Sequence, residues 1–486
     1  MKKYFFFLLI AFSPLLIGAQ DRLVIKNVSV VDVKLGEIAK DQTVVIQGNR
    51  IVSVSTSGKV AFNSTVVEGK GKYLIPGLWD MHVHDVCDSK WGKSVFMPMY
   101  IANGVTGVRD MGGPDSGIPD TVFARREEIK EGKLSGPHIV AAGYFIMGDV
   151  RGPTEVIRVS NNADGRNAVD FIKKAGADFI KVKELVSREA YFAIADEARI
   201  QNILLVGHVP FSLDAVEVVN AGQKSIEHMD GIWFTCSTEG NRLRQESFDS
   251  ELKMFQGKMA QSAAFRKIMY ALDTAMKTYS GQKADSAFHR FVSLNTFVCP
   301  TLTADQALAN SADSIFQLDD RLKYIPASIA KGWDPRLNGR LKQLSTDDFE
   351  ALKAYFQKNL QLVKSMKNAG IKFLAGTDTS PHPTSIPYLF PGFSLLDELE
   401  LFANSGLSPL EALQTATINP AIFLNATDSI GTIEKGKIAD LVLLNANPLE
   451  NIRNTRKIEA VVMNGRLLQR KELDAMLNLA QELVSK

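Results

Sequence analysis

Pro76-Gly77-Leu78-Trp79-Asp80-Met81-His82-Val83-His84 closes the first long apolar run of the chain, which spans residues 73–82. His82 and His84 lie two residues apart, and side chains two apart on a β-strand point to the same side. Both imidazoles can therefore reach one metal ion. Taken alone, this pair is better explained as a structural or surface feature.

Seven further apolar runs follow and alternate with helical patterns such as those over residues 163–175 and 187–200. These runs are residues 105–111, 138–143, 179–183, 203–209, 225–230, 296–302 and 372–378. Short apolar runs that alternate with helices are typical of βα units around a parallel sheet. Eight such units predict an α/β fold of the TIM (β/α)8 barrel type.

Short β-rich runs occur at both ends of the chain, and long gaps follow the sixth and seventh central runs. The sequence predicts a small β-sandwich-like domain that is split between residues 20–72 and 427–470. Between its two parts it predicts a barrel at 73–426 with insertions 231–295 and 303–350, and after them a C-terminal helix at 471–486. The insertions follow C-terminal strand ends, where barrel active sites lie. They either form a wall over the site or decorate the rim or a subunit contact.

Histidine is scarce, with seven residues among 486, so its placement is informative. His208 closes the fifth run, His228 the sixth and Asp378 the eighth. With His82 and His84, four histidines and one carboxylate fall at the C-terminal ends of predicted barrel strands, where all can face one axial site. Imidazoles and carboxylates are metal ligands, so this arrangement predicts a metal site.

The fourth run, Ala177-Asp178-Phe179-Ile180-Lys181-Val182-Lys183, places a lysine on a buried strand beside that site. A cation there is costly, so the lysine is either neutral, with a pKa lowered by desolvation and metal charge, or modified into an anion. Lys181 and Lys183 share a face, and alternation alone does not choose between them.

Several motifs together carry a family resemblance: residues 76–84, Thr106-Gly107-Val108-Arg109-Asp110-Met111-Gly112-Gly113, residues 176–181, Gly376-Thr377-Asp378 and residues 431–442. The chain resembles the amidohydrolase superfamily, in particular metal-dependent hydrolases similar to Xaa-Pro dipeptidases (prolidases) and imidazolonepropionase. The resemblance covers nearly the whole chain after the first residues. Its motifs are specific for the superfamily and much less so for a substrate.

The resemblance implies a binuclear site for two divalent ions, usually zinc. The implied ligands are His82, His84 and Asp378 for one ion, His208 and His228 for the other, and N-carboxylated Lys181 as the bridge. The context of residues 176–181 selects Lys181 over Lys183. A hydroxide shared by the ions would attack a carbon–nitrogen amide bond, and Asp378 would act as the catalytic residue that carries the proton to the leaving nitrogen.

A peptide-like or N-acyl amino acid is the leading substrate class. One alternative is an imidazolonepropionase-like hydrolase of cyclic amides, and the same hydroxide would also serve a lactone or phosphoester. An alternative of another class is a metal-bound, inactive binding protein. The complete ligand set argues against the latter.

Five residues are weaker candidates for substrate contacts: Arg109, Tyr144, Arg151, His382 and Tyr388. Arg109 either binds a substrate carboxylate or pairs with Asp110 or Glu227 inside the barrel. Tyr144 and Arg151 lie near residues 142–149, where prolidase-like relatives commonly carry a histidine that this chain lacks. His382 and Tyr388 follow the last strand. His138 begins its strand, which predicts a structural role.

The first residues and the charge balance bear on compartment and partners. Met1-Lys2-Lys3, the apolar residues 4–17 and Gly18-Ala19-Gln20 predict a signal peptide, residues 1–19, cleaved after Ala19. We therefore expect a secreted or periplasmic protein. A formal net charge of +2 offers no field for nucleic acid. The expected partner is a small-molecule substrate. We expect no membrane span, and the formation of a homo-oligomer is left open.

The three cysteines, Cys87, Cys236 and Cys299, are too few for a disulfide scaffold and too widely spaced for a zinc knuckle. We expect packed or free thiols. A single disulfide is left open in an oxidising compartment.

Overall fold

Parallel strands occupy the centre of the chain and mostly antiparallel strands its two ends. The structure is a computed structural model that describes residues 22–56, 64–86, 88, 90–113, 119–150 and 156–486. The predicted signal peptide, Cys87 and Arg151 lie outside these residues.

The strands in chain order are β1 (Arg22–Asp32), β2 (Glu37–Gln47), β3 (Arg50–Ser55), β4 (Ser64–Glu68), β5 (Tyr73–Pro76), β6 (Leu78–Val83), β7 (Val105–Asp110), β8 (His138–Ala141), β9 (Phe145–Gly148), β10 (Val156–Val159), β11 (Phe179–Val182), β12 (Leu204–Gly207), β13 (Ser225–Glu227), β14 (Phe297–Cys299), β15 (Lys372–Phe373), β16 (Leu441–Leu444), β17 (Ile458–Met463) and β18 (Arg466–Gln469). The α-helices are α1 (Met97–Ala102), α2 (Pro119–Lys130), α3 (Asn162–Lys174), α4 (Arg188–Ile200), α5 (Ala215–Asn220), α6 (Asp230–Cys236), α7 (Gly240–Phe255), α8 (Gln261–Lys277), α9 (Gly281–Ser293), α10 (Leu302–Asn310), α11 (Ser314–Gln317), α12 (Ala327–Gly332), α13 (Thr346–Asn368), α14 (Phe393–Asn404), α15 (Pro409–Thr415), α16 (Ile418–Phe423) and α17 (Arg470–Val484).

The central strands form two parallel sheets. One has the order β10-β9-β11-β12-β13-β14-β15 and the other the order β6-β7-β8. Each of the eight predicted runs contains a strand, and most strands are flanked by helices, as the alternation predicts. Strands β9 and β10 were not predicted; β9 reaches β11 only at Lys181 and Val182.

Backbone hydrogen bonds join these two sheets at both edges. On one side the Met81 N–H donates to the Ala375 carbonyl at 2.7 Å and the Asp378 N–H to the His82 carbonyl at 2.8 Å. On the other side the Asp178 N–H donates to the Ala141 carbonyl at 2.9 Å. The predicted mixed α/β architecture is thus present, with the C-terminal ends of β6 and β11–β15 on one side.

Strands from both chain ends build one eight-stranded sheet, the end sheet, which is consistent with the predicted split β domain. Its path is β18-β17-β16-β5-β1-β2-β3, with β4 on β1. The predicted first barrel run is divided between two sheets, because Tyr73–Pro76 pairs with β1 and β16 while Leu78–Val83 pairs with β7. The strand that joins the parallel sheets therefore begins at Leu78, later than residue 73.

Helices fill both predicted insertions, namely α6–α9 after β13 and α10–α12 after β14. The long helix α13 follows, and Ser345 caps its N-terminus. The Ser345 hydroxyl accepts from the Asp348 N–H, and the Asp348 side chain accepts from the Ser345 N–H. Among the described residues, no helix is both long enough and apolar enough to span a bilayer. Cys236 and Cys299 are buried free thiols.

Candidate metal and catalytic site

Predicted ligands from four strand ends meet at one point. The Nε2 atoms of His82 and His84 lie 3.2 and 3.1 Å from Asp378 Oδ1. The His228 ring lies 4.9 Å from the His82 ring and 4.6 Å from the His208 ring, measured between centroids. Ligand atoms of His82, His228 and Asp378 fall within 4.8 Å of one another. His228 thus groups with the ligands that the resemblance assigned to the other ion.

Each of the four strand-end histidines has its Nδ1 atom on a protein acceptor. His82 Nδ1 lies 3.0 Å from Glu227 Oε2, His84 Nδ1 2.7 Å from the Gly112 carbonyl, His228 Nδ1 2.8 Å from Thr301 Oγ1, and His208 Nδ1 contacts Glu184. A carbonyl or carboxylate cannot donate, and the Thr301 hydroxyl donates to the Pro300 carbonyl. The hydrogen therefore sits on Nδ1, and the Nε2 lone pair is left for a metal ion.

The charge states of these histidines suit the same role. Burial lowers the pKa of His82, and the nearby Lys181 charge adds to this effect. Burial also lowers the pKa of His208 to about 3 and that of His228 well below its ordinary value. Neutral imidazoles are the form that binds metal.

The two lysines of β11 differ in their surroundings. Lys181 is fully buried, and its Nζ has no hydrogen-bond partner among the described residues. Burial lowers the pKa of Lys181 to about 7. The half-buried Lys183 lies 3.3 Å from both His208 Nε2 and Glu184 Oε1. A buried amine with no partner, beside Asp378 and the histidines, fits a lysine that completes a metal site.

The buried ion pair of Arg109 and Glu227 supports the site, because Glu227 also contacts His82. Arg109 donates to both carboxylate oxygens of Glu227, at 2.9 and 2.8 Å, and to Ser225 Oγ and the Met81 carbonyl. Of the alternatives left open by the sequence, the Glu227 pairing is present. Because the guanidinium is fully buried and committed to these acceptors, the structure does not support Arg109 as a substrate contact.

Asp80 links β6, which carries His82, to the loop that carries Asp378. Its carboxylate accepts from the Thr377 N–H at 3.1 Å, the Thr377 hydroxyl at 2.8 Å and the His82 N–H at 3.3 Å. Burial raises the pKa of Asp80 to about 7, against these hydrogen bonds. This side chain therefore fixes His82 relative to Asp378.

Tyr144, Tyr388 and His382, which are further predicted substrate contacts, pack against or hydrogen-bond to residues outside the ligand set. The Tyr144 ring packs edge-on against Phe171 of α3, and Tyr388 packs against Trp333 and Phe316. His382 is exposed, with Nδ1 3.0 Å from Thr384 Oγ1. Packing thus accounts for the two tyrosines, and Arg151 lies outside the described residues.

Left-handed backbone recurs at the strand ends. His228, Asp378 and Thr301 have φ angles of 64°, 57° and 52°. This region is unfavourable for residues other than glycine, and such conformations cluster at functional sites. It turns the chain after β13 and β14 and in the loop that follows β15, and it brings the three side chains towards one another.

The second insertion and α13 also reach the strand ends. The Tyr355 hydroxyl of α13 donates to Asp230, two residues after His228. Four residues further along the same helix, Asn359 donates to Asp305 at 2.7 Å and accepts from the Trp233 indole N–H at 2.6 Å. Sequence reasoning missed Asp80, Glu184 and Thr301 as supports, because only the tertiary structure brings them to their partners.

Comparison with known proteins agrees with this geometry. A family model described as "Amidohydrolase family" matches residues 304–468. The predicted resemblance to the amidohydrolase superfamily is confirmed. The predicted enzyme class, a hydrolase of the amidohydrolase type, is confirmed with it.

Three amidohydrolase relatives illustrate the extent of the match. Ochratoxinase of Aspergillus niger is 20% identical over 492 residues, covering 88% of this chain and 82% of its own. A prolidase complexed with N-methylphosphonate-L-proline has a TM-score of 0.65 at 21% identity, with 92% of this chain and 100% of that chain covered. Bottromycin amidohydrolase has a TM-score of 0.72 at 21% identity, with 95% and 90% covered. At these identities, the two structures establish a shared fold.

Proposed function

We propose that the chain is an exported, binuclear metal-dependent amidohydrolase that cleaves the carbon–nitrogen amide bond of a peptide-like or N-acyl amino acid substrate. The proposal includes a closed eight-stranded TIM barrel, which the backbone hydrogen bonds at both edges of the two parallel sheets support. Export is supported by the sequence pattern of residues 1–19.

The observation that carries the proposal is the common orientation of four imidazoles. His82, His84, His208 and His228 each have Nδ1 on an acceptor, so that Nε2 is the atom able to bind a metal ion; in His208 this atom lies 3.3 Å from Lys183 Nζ. Nitrogen and carboxylate ligands of this kind suit Zn²⁺. Lys181, buried with no partner for its Nζ, would bridge two ions as N-carboxylysine.

Divalent ions bound by these residues would act as Lewis acids and lower the pKa of bound water towards about 7. Asp378 accepts a proton from the attacking water as the carbon–oxygen bond forms. It then gives this proton to the leaving nitrogen as the carbon–nitrogen bond breaks. The Nε2 atoms of His82 and His84 lie 3.2 and 3.1 Å from Asp378 Oδ1, and a divalent ion held by these three groups would keep the carboxylate ionised, so the group starts as a base.

The peptide-like substrate class is supported by the relatives whose descriptions name a prolidase and an amidohydrolase. The half-buried charged groups beside the ligands, Lys183 and Glu184, also suit a polar substrate better than an apolar one.

The test combines metal content with turnover. We expect zinc-loaded protein to hold about two ions per chain and to hydrolyse members of a panel of dipeptides, N-acyl amino acids and cyclic amides. Asp378→Asn should lower kcat on the order of 10³-fold while most of the metal is retained. Unchanged turnover in this variant would refute the proton transfer, and one ion per chain would remove Lys181 as a bridge.

A further inference from the structure

Helix α10 begins directly after the residue that orients His228, and its first turn is buried. Thr301 precedes the helix in a left-handed conformation, with a φ angle of 52°. The N–H groups of Leu302 and Thr303 belong to the first turn and have no acceptor within the helix itself. Both residues are buried, so these two donors need partners from elsewhere in the protein.

The usual partner of such donors is the side chain of the residue that precedes the helix. Thr301 does not act in this way, because its side chain makes no capping hydrogen bond. Its hydroxyl instead donates to the Pro300 carbonyl at 2.8 Å and accepts from His228 Nδ1 at 2.8 Å. A threonine at a capping position is thus committed to a predicted metal ligand.

The cap of α10 comes from another helix. Glu398 of α14 is fully buried, and its two carboxyl oxygens accept from the Leu302 N–H at 3.0 Å and from the Thr303 N–H at 2.7 Å. Burial raises the pKa of Glu398 to about 8, and a carboxyl group retains acceptor capacity in either protonation state. Because Glu398 satisfies both donors, the Thr301 hydroxyl is left for His228.

Loss of the Glu398 carboxyl group would leave two buried N–H groups without an acceptor, which is costly. The Thr301 hydroxyl, which stands at the capping position, would then be drawn to these donors and away from His228. The His228 N–H donates to the Cys299 carbonyl at 2.9 Å, a contact that does not involve Glu398. The backbone of His228 would therefore stay in place while the orientation of its ring changes.

Given the proposed metal site, on which this inference rests, we propose that Glu398 is a positioning residue for His228. By capping α10 in place of Thr301, it keeps the Thr301 hydroxyl on His228 Nδ1 and so keeps Nε2 available to a metal ion. Its influence runs from α14 through the first turn of α10 to the ligand.

The experiment is a double-mutant cycle in which Zn²⁺ affinity is measured by competition with a chelating dye. Glu398→Gln places an NH2 group, which cannot accept, against one of the two N–H donors. It should lower Zn²⁺ affinity about tenfold. Thr301→Val also lowers this affinity, but adding Glu398→Gln to Thr301→Val should change it by less than about twofold, because both substitutions act through the same hydroxyl.

Glu400→Gln is the matched control, because Glu400 lies two residues further along α14 and pairs with Arg453 and Arg456. It should leave Zn²⁺ affinity unchanged in either background. A purely structural role of Glu398 would lower stability, but its effect on Zn²⁺ affinity would not depend on Thr301. Additive effects would therefore overturn the inference, as would wild-type affinity in Glu398→Gln.

Hydrogen exchange of backbone N–H groups is a second measurement, and it does not require a Glu398 variant to fold. If Glu398 caps α10, the N–H groups of Leu302 and Thr303 should exchange at the wild-type rate in Thr301→Val protein. Faster exchange there would show that Thr301 supplies the cap and would overturn the inference alone. Wild-type protein that binds no Zn²⁺ would reject the proposed function and the inference together, so the two failures are distinguishable.

Discussion

Histidines at the two ends of the parallel strands have opposite electrostatic environments. At the C-terminal ends, burial lowers the pKa values of His82, His208 and His228. At the start of β8, His138 Nε2 lies 2.8 Å from Oδ2 of Asp440, the residue before β16. Burial alone would lower the pKa of His138, but the hydrogen bond and charge of Asp440 outweigh it and raise this pKa.

The difference shows how one residue type serves two purposes. Neutral imidazoles with a free Nε2 suit metal binding, whereas a protonated imidazole on a carboxylate links two parts of the fold. Position along the strand, which the sequence reveals, separates these roles. The following predictions test this separation, beginning with the largest effect.

Arg109→Met removes the buried cation on which Glu227, and through it His82, depends. The variant should lose about 3–5 kcal/mol in free energy of unfolding, because Glu227 would be left buried without its counter-ion. Urea denaturation followed by circular dichroism measures this loss. Arg199→Met, which removes an exposed pair with Asp196, is the control and should unfold like wild type. An equal effect of both variants would contradict the supporting role of Arg109.

Thr301→Val removes the acceptor that orients His228 while keeping the shape of the side chain. We expect metal affinity to fall about 10–100-fold, since such orienting groups contribute by this amount. Competition with a chelating dye measures it. Thr296→Val is matched, because the Thr296 hydroxyl is buried without a hydrogen-bond partner among the described residues. The expectation fails if both variants bind metal equally well.

His138→Gln should affect stability in a pH-dependent manner without changing metal affinity. A raised pKa in the folded state means that the stabilisation is fully present below the unfolded value of about 6.5 and is lost as pH rises through the folded value. The variant should therefore lose under about 1 kcal/mol near pH 5.5 and less near pH 9. Equal losses at both pH values, measured by denaturant unfolding, would show that charge plays no part.

The sequence predicted which residues cluster at the strand ends, but not which groups support them. His82, His84, His208, His228 and Asp378 were found because each closes an apolar run, and run ends become strand ends. The environment of Arg109 could not be decided, since several carboxylates lay within reach of a barrel interior. Glu184 and Thr301 acquire their roles only through contacts across the fold.

The end sheet and the insertions also show that sequence patterns predict the elements of the fold better than the contacts between them. Matching β-rich runs predicted that the two chain ends share one domain, but they did not predict that β5, in the first predicted barrel run, pairs with that sheet. The insertions were recognised from their length and helical pattern. The hydrogen bond from Trp233 in the first insertion to Asn359 of α13 depends on how these helices pack, which periodicity does not determine.

The end sheet also constrains the order in which the protein can be assembled. Strand β5 pairs with β1 on one side and with β16 on the other, so that Leu74 lies opposite both Val30 and Leu443. During synthesis, β1 to β5 emerge early, yet the second edge of β5 has no partner until almost the whole chain has been made. Contacts this distant in sequence form slowly, and open strand edges promote aggregation. Protecting that edge until β16 arrives is therefore a requirement for producing the folded enzyme.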